Sequence, residues 1–162
     1  MHIEHIYLYC KMFVNKTMGE TKYLYLCSDS SSTQLRYINS NEIVIELSSP
    51  LELIGEWECS LIELHLKLKS AYKYGEYFDV LSDIVEGTIT NIGCQSLLRR
   101  VISDHTGVER IHYTDLPPRF LRVKLINLQR VSFRILEYAD KPKIDIKQPI
   151  YFVLVFRKRK NE

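Results

Sequence analysis

Histidine is the residue type in this chain best suited to metal or proton chemistry, and the sequence holds five: His2, His5, His65, His105 and His112. The segment His2–His5 brings two imidazoles together only if it is helical, and a zinc site needs at least a third ligand. His105 follows Asp104 and, with Cys94, supplies the residue types of a base and a nucleophile, yet nothing in the spacing brings these groups together. We therefore predict no catalytic residue, no metal site and no cofactor.

Three glutamates near one tryptophan are the second candidate for chemistry: Glu56, Glu58 and Glu63 surround Trp57. Paired carboxylates can act as acid and base on a sugar, and an indole can stack on the sugar ring. In a strand, however, residues two apart share a face, so Glu56 and Glu58 would lie opposite a buried Trp57. The sequence favours a solvated strand surface at this point.

The basic tail, residues 157–160, is the one local concentration of charge. Over the whole chain, 22 Lys and Arg against 20 Asp and Glu leave a net charge of +2, which identifies no partner. Adjacent cations can hold phosphate by releasing counterions, whereas a short basic run at a chain end often only solubilises it or protects an edge strand. Both interpretations apply to Arg157, Lys158, Arg159 and Lys160.

Familiar enzyme motifs are missing from the sequence. Neither glycine pattern of nucleotide-binding proteins, G-x-G-x-x-G or G-x-x-x-x-G-K-[ST], occurs. The nucleophile elbow G-x-S-x-G and the zinc-protease motif H-E-x-x-H are also missing. We therefore expect no enzymatic activity.

Length and composition predict one soluble domain. The chain has 162 residues, of which 46% are hydrophobic, and single domains mostly hold about 100–150 residues. Its apolar runs are far shorter than the roughly 20 residues that span a membrane. The four cysteines include no Cys-x-x-Cys pair, so we expect free thiols, a reducing intracellular compartment, and Cys10 and Cys27 acting as small buried hydrophobes.

Alternating polar and apolar residues indicate strands through most of the chain. The clearest cases are residues 41–48, Thr21–Cys27, Tyr77–Ser82, Arg119–Leu128 and a central strand at Ile150–Phe156 that stops at Arg157. After Trp57 the apolar residues change face, which predicts a β-bulge near Leu61.

Helix signals are few, and the two candidates are Asn91–Asp104 and Arg134–Tyr138, which fit a strand equally well. About eight short strands, with at most one or two short helices, favour an antiparallel sandwich or barrel. We predict an all-β, single jelly-roll-like β-sandwich domain over residues 1–162. Residues 1–20 would form an N-terminal arm or first strand, and residues 158–162 the end of the basic tail.

Several sequence blocks resemble the capsid-associated proteins of Polinton (Maverick) elements and adintoviruses. The first is an aromatic strand ending in polar turn residues, 23–32, followed by an extended strand and a Gly-x-Trp-Glu segment within residues 41–66. Residues 78–86 resemble the family's aspartate-isoleucine-valine motif, and 96–101 its leucine-arginine strand. Residues 151–157 are similar to its terminal strand.

The resemblance implies a minor capsid, penton-like protein with a jelly-roll fold at capsid vertices of the virion. Its partners would be copies of itself, five of which would close into a ring, and a major capsid protein, with no membrane contact. For the tyrosine-rich tract we expect either an interface through Tyr72, Tyr74 and Tyr77 or an ordinary surface loop. The basic tail would contact the capsid interior or, weakly, packaged DNA. The alternative function is a β-sandwich module that binds carbohydrate or nucleic acid.

Overall fold

The strands account for most of the chain that the structure describes. The computed structural model describes residues 20–27, 34–39, 41–72, 77–90, 93–102, 108–115, 117–137 and 146–159. Within these ranges the chain forms twelve strands and no helix. In chain order they are β1 (Thr21–Cys27), β2 (Gln34–Asn39), β3 (Glu42–Glu52), β4 (Trp57–Tyr72), β5 (Tyr77–Ser82), β6 (Thr88–Thr90), β7 (Gly93–Gln95), β8 (Leu97–Ile102), β9 (Val108–Thr114), β10 (Leu121–Arg122), β11 (Asn127–Glu137) and β12 (Ile146–Lys158).

The strands form two five-stranded antiparallel sheets and one small hairpin. The first sheet has the order β1-β12-β4, with β9 and β10 both paired to β4. The second sheet has the order β2-β3-β11-β5-β8, and β6 pairs with β7. The predicted all-β class and antiparallel arrangement are confirmed. No segment of the described chain is a helix with the length and apolar character needed to cross a bilayer.

The two sheets pack face to face around one cluster of buried side chains. Phe133 of β11 and Phe152 of β12 belong to different sheets, and their rings stack with centroids 4.0 Å apart. Both side chains are almost completely buried. Alternate residues of the long strands β3, β4, β11 and β12 point into this cluster, as expected for a sandwich, and the residues between them lie on the two outer faces.

Along β4, the residues that point into the core change from odd to even numbers at a β-bulge. Consecutive residues of β12 pair with Glu63 and Leu61, so Ile62 is the extra residue. The buried positions accordingly shift from Leu61 to Leu64. The bulge predicted near Leu61 is confirmed.

Two predicted strands have the bounds that the structure gives, and others differ. Thr21–Cys27 and Tyr77–Ser82 are β1 and β5. The last strand is central, as predicted, but it continues through Lys158 instead of stopping at Arg157. The single strand expected at Arg119–Leu128 is wrong, because the chain forms the short β10 and begins β11 only at Asn127.

The described residues of both helix candidates lie mainly in strands. Residues 93–95 and 97–102 form β7 and β8, and residues 134–137 belong to β11. In β8, consecutive residues of β5 pair with Arg99 and Leu97, so Leu98 is bulged. A bulge shifts the alternation by one residue, so the spacing of Leu97, Leu98 and Val101 imitates a helix.

Gly55 lies where the chain crosses from the second sheet to the first. Its φ of 99° is in the left-handed region that side-chain-bearing residues rarely adopt. On one side of it, the Leu53 N–H donates to the Ile126 carbonyl at 2.8 Å. Except for Glu20, the N-terminal arm or first strand expected at residues 1–20 lies outside the described residues, as does Cys10. Cys27 is buried and is not in a disulfide, as predicted.

Candidate functional site

Three neighbouring strands of the first sheet bring two histidines together on its outer face. The ladder between β4 and β9 sets His65 directly opposite His112, and the ladder between β4 and β12 sets His65 opposite Tyr151. Glu63 precedes His65 by two residues on β4 and therefore shares its face. We call Glu63, His65 and His112 the histidine cluster.

The carboxylate of Glu63 lies between the two imidazoles. Its Oε1 is 2.6 Å from Nε2 of His65 and 3.6 Å from Nε2 of His112. The two rings stack with centroids 4.0 Å apart. Thr114 Oγ1 lies 3.4 Å from Nε2 of His112. One ligand atom from each residue of the cluster therefore falls within 4.8 Å of the other two.

The histidine cluster is open to solvent on one side. The side chains of Glu63, His65 and His112 are 40%, 41% and 61% exposed. Beside them is a depression of about 370 Å³ that Tyr151 also lines, with its ring at 80° to the plane of the His65 ring. Two imidazoles and a carboxylate are groups that coordinate divalent transition metals.

Lys67 and Arg110 line the far part of the same depression. They face each other across the β4–β9 ladder, two residues beyond the pair of histidines. Along the strands the lining of the depression thus changes from imidazole groups, with Glu63 beside them, to basic groups. This arrangement suits a ligand with a cation at one end and an anionic group at the other.

Each described cation of the predicted basic tail faces a glutamate. Arg157 Nη2 lies 2.7 Å from Glu58, Lys158 Nζ 3.6 Å from Glu20, and Arg159 Nη1 3.5 Å from Glu56. Lys160 lies outside the described residues. Glutamates thus offset much of the charge that this segment would offer to phosphate.

Trp57 is part of the core instead of a surface platform. The side chain is 3% exposed, and its Nε1 donates to the Ile54 carbonyl at 3.1 Å. The ammonium groups of Lys22 and Lys158 lie 5.0 Å and 6.0 Å from the ring centroid. A buried indole beside two cations does not offer a face for stacking a sugar.

The structure describes two of the three predicted interface tyrosines. The backbone of Tyr72, at the end of β4, pairs with Val108 of β9, and Tyr74 lies outside the described residues. Tyr77 begins β5 and is half-buried, with its ring 4.1 Å from the guanidinium carbon of Arg100.

One ion pair crosses from the second sheet to the first. Arg99 of β8 donates to Oδ1 of Asp115, just after β9, at 2.5 Å, and Oδ2 of Asp115 accepts the Arg119 N–H at 3.2 Å. Asp115 is buried. Burial raises the pKa of the neighbouring Tyr113, an effect that the Arg99 charge opposes.

Asp83 lies on the outer side of the second sheet, between two open depressions of about 980 and 380 Å³. Burial raises the pKa of this carboxyl. The Ser132 N–H, which donates to it at 2.9 Å, and the charges of Lys124 and Arg130 oppose that rise. Asp83 is therefore a carboxylate held among cations.

Sequence reasoning considered His65 and His112 only separately. Their partnership depends on the pairing of β4 with β9, which no local pattern specifies. The sequence offers only a weak signal for this partnership. Glu63 and His65 are two residues apart and share a face of one strand, and His112 and Thr114 share a face of another. Pairing those two faces would have predicted the histidine cluster.

Comparison of the chain with protein-family models, with curated proteins and with solved structures found no match.

Proposed function

We propose that this protein is a structural, penton-like component of a viral or transposon capsid that acts by assembling with other proteins of the shell. Its partners are copies of itself, arranged in a closed ring, and a major capsid protein. The virion is its final location, after assembly in a reducing compartment. The nested pairing of the strands is the observation that carries this proposal.

The nested pairing consists of four antiparallel ladders. The first strand pairs with the last, β1 with β12; inside them β3 pairs with β11, then β4 with β9, and innermost β5 with β8. Successive ladders alternate between the first and second sheets. A ribbon wound in this way supports the jelly-roll topology, which many viral capsid proteins have.

A two-sheet body of this kind suits a shell because its core is closed and its edges and end loops remain available for contacts. Head-to-tail contacts between identical copies close into a ring when the rotation fits, and five copies would suit a vertex. We assign this contact to Tyr72, Tyr74 and Tyr77, because tyrosine combines a large contact area with a polar end.

The basic tail contributes at most weakly to contacts with packaged DNA or with the capsid interior. The side chains of Arg157, Lys158 and Arg159 are 43–50% exposed, so they can still meet a polyanion. Their glutamate partners compete with phosphate for the same cations. Binding through this segment should therefore disappear at moderate salt.

The mass of the full chain under native conditions, over a range of concentrations, tests the proposal. We expect a closed oligomer that replaces the monomer as concentration rises, and co-purification with a major capsid protein when the two are expressed together. Substituting Tyr72, Tyr74 and Tyr77 together by Ser should shift the oligomer toward monomer by at least tenfold in concentration. As a matched control, Tyr25→Ser with Tyr151→Ser removes two exposed tyrosines from the first sheet and should leave assembly unchanged.

A chain that stays monomeric at every concentration and does not associate with the major capsid protein would overturn the proposal. Assembly that survives the triple substitution but is lost in the control would move the contact to the outer face of the first sheet. That result would contradict the assignment of the tyrosine tract.

A further inference from the structure

We propose that the histidine cluster binds one Zn²⁺ ion, with Glu63, His65 and His112 as three protein ligands and a fourth position open to the surface. This inference does not depend on the proposed capsid function. It rests on the geometry of three side chains that no sequence motif connects.

The distances within the cluster fit a single tetrahedral ion. Zinc lies about 2.0–2.1 Å from its nitrogen and oxygen ligands, which places those ligand atoms roughly 3.4 Å apart. Glu63 Oε1 is 2.6 Å from one imidazole nitrogen and 3.6 Å from the other, and all three ligand atoms lie within 4.8 Å of each other. Side-chain rotations alone can bring them to the required separation, because all three side chains are partly exposed.

The backbone already places the three ligands side by side. Two of them are two residues apart on β4, and the third lies opposite on β9, so the ladder between these strands sets their spacing. The imidazole rings lie together, with centroids 4.0 Å apart. Binding the ion therefore requires side-chain rotations but no rearrangement of the strands.

The partners of Glu63 differ from those of two glutamates near the start of β4. Glu56 and Glu58 each face an arginine. Within the part of the chain that the structure describes, Glu63 pairs with the two imidazoles and with no Lys or Arg. An imidazole can give up its hydrogen bond to coordinate a metal through the same nitrogen, whereas a guanidinium cannot.

The ligand types select the class of metal. Calcium and magnesium prefer sets of oxygen ligands, while two imidazoles with one carboxylate suit zinc and its neighbours among the transition metals. Three protein ligands leave one position for water or an added ligand. Lys67 and Arg110 line the same depression and favour an anion at that position.

Calorimetric titration of the full chain with Zn²⁺ tests the proposal. The chain should carry Cys94→Ser, because Cys94 is exposed and its thiol could bind zinc by itself. We expect one saturable site per chain, and at least tenfold weaker binding in each of the variants Glu63→Gln, His65→Gln and His112→Gln. Co²⁺ in place of Zn²⁺ should give the visible absorption of a four-coordinate site.

Matched controls separate this site from other binding. Glu58→Gln makes the same change on the same strand but at a carboxylate that pairs with Arg157, so zinc affinity should stay within twofold. His105→Gln, and His2→Gln together with His5→Gln, remove other histidines and should also have no effect. Circular dichroism verifies that each variant is folded.

The proposal fails if the chain binds no zinc. It also fails if Glu63→Gln and His112→Gln bind as tightly as the parent, or if the loss appears in the His2, His5 or His105 variants instead. Since the titration needs no capsid partner and no oligomer, its result is independent of the assembly test.

Discussion

One carboxylate on the outer face of the first sheet and one on the outer face of the second have different kinds of partner. On the first sheet, Glu63 lies between two imidazoles. On the second sheet, Asp79 accepts two hydrogen bonds from the guanidinium of Arg100, at 2.8 and 2.9 Å. Both faces cover the same core, so their difference concerns surface chemistry and not folding.

This difference indicates where the protein can exchange partners. A guanidinium fork matches a carboxylate with two parallel hydrogen bonds and keeps its charge at every physiological pH. An imidazole is neutral or charged near pH 7 and can coordinate metals. The Asp79–Arg100 pair of the second sheet is therefore fixed, while the histidine cluster of the first sheet has groups that can bind another ligand.

The two sheets should unfold as one cooperative unit, and replacing a phenylalanine that packs between them tests this expectation. Phe133→Ala should lower the free energy of unfolding by about 3–5 kcal/mol, because it leaves a cavity against Phe152. Urea unfolding followed by fluorescence and circular dichroism measures the loss. Ile102→Ala, at an exposed position, is the control and should cost less than about 0.5 kcal/mol. Two separate transitions would mean that the sheets unfold independently.

The ion pair that crosses between the sheets should matter more than one on a surface. Asp115→Asn leaves the Arg99 charge without its buried partner and should cost about 2–4 kcal/mol, somewhat below a fully buried pair because Arg99 is partly exposed. Glu58→Gln, at an exposed pair with Arg157, should cost less than about 1 kcal/mol. Urea midpoints of the two variants give the comparison, and equal losses would contradict it.

Matched amide substitutions test the difference between Asp79 and Glu63 directly. Asp79→Asn should cost less than about 1 kcal/mol, and added salt should reduce that cost. Glu63→Gln should change stability by less than about 0.5 kcal/mol without metal, but it should abolish the stabilisation that Zn²⁺ gives the parent. Thermal unfolding with and without Zn²⁺ distinguishes the two. A zinc effect that persists in Glu63→Gln would remove the distinction between the faces.

The smallest effect is expected at Asp83, where the amide substitution should raise the free energy of unfolding instead of lowering it. Burial raises the pKa of Asp83 in the folded protein, so the folded state holds the proton more tightly than the unfolded state does. The contribution of this group to the free energy of unfolding therefore falls as pH rises from its ordinary pKa through the raised one. Above the raised pKa, the contribution stays at its lowest value. Asp83→Asn should be slightly more stable than the parent at pH 7, with a flatter dependence on pH between about 4 and 7. Unfolding midpoints across this range, beside those of Asp79→Asn, measure the effect; lower stability of Asp83→Asn at pH 7 would contradict it.

Local patterns in the sequence predicted the strands well where a strand keeps its alternation. Thr21–Cys27 and Tyr77–Ser82 are strands with the predicted bounds, and the bulge near Leu61 was visible as a change of face. The pattern is ambiguous at β8, because the bulge at Leu98 gives the apolar residues a spacing like that of a helix. Local irregularity therefore accounts for the main error in secondary structure.

The candidate site could not be predicted to the same degree because it depends on strand order. His65 and His112 are neighbours only because β9 returns to pair with β4, after the chain has passed through the second sheet. Local sequence sets which face each histidine occupies, but not which strand lies beside it. By contrast, the burial of Trp57 agreed with the alternation around it.

The extra residue at Ile62 gives the gene a freedom at this point of β4. Loss of that single codon would leave Leu61 next to Glu63, and regular alternation would then keep Glu63 and His65 outside and Leu64 inside. Loss of a codon within a regular part of the strand would instead exchange the inner and outer positions of the residues that follow it. Related genes should therefore lose a residue at Ile62 more readily than in the regular parts of β4.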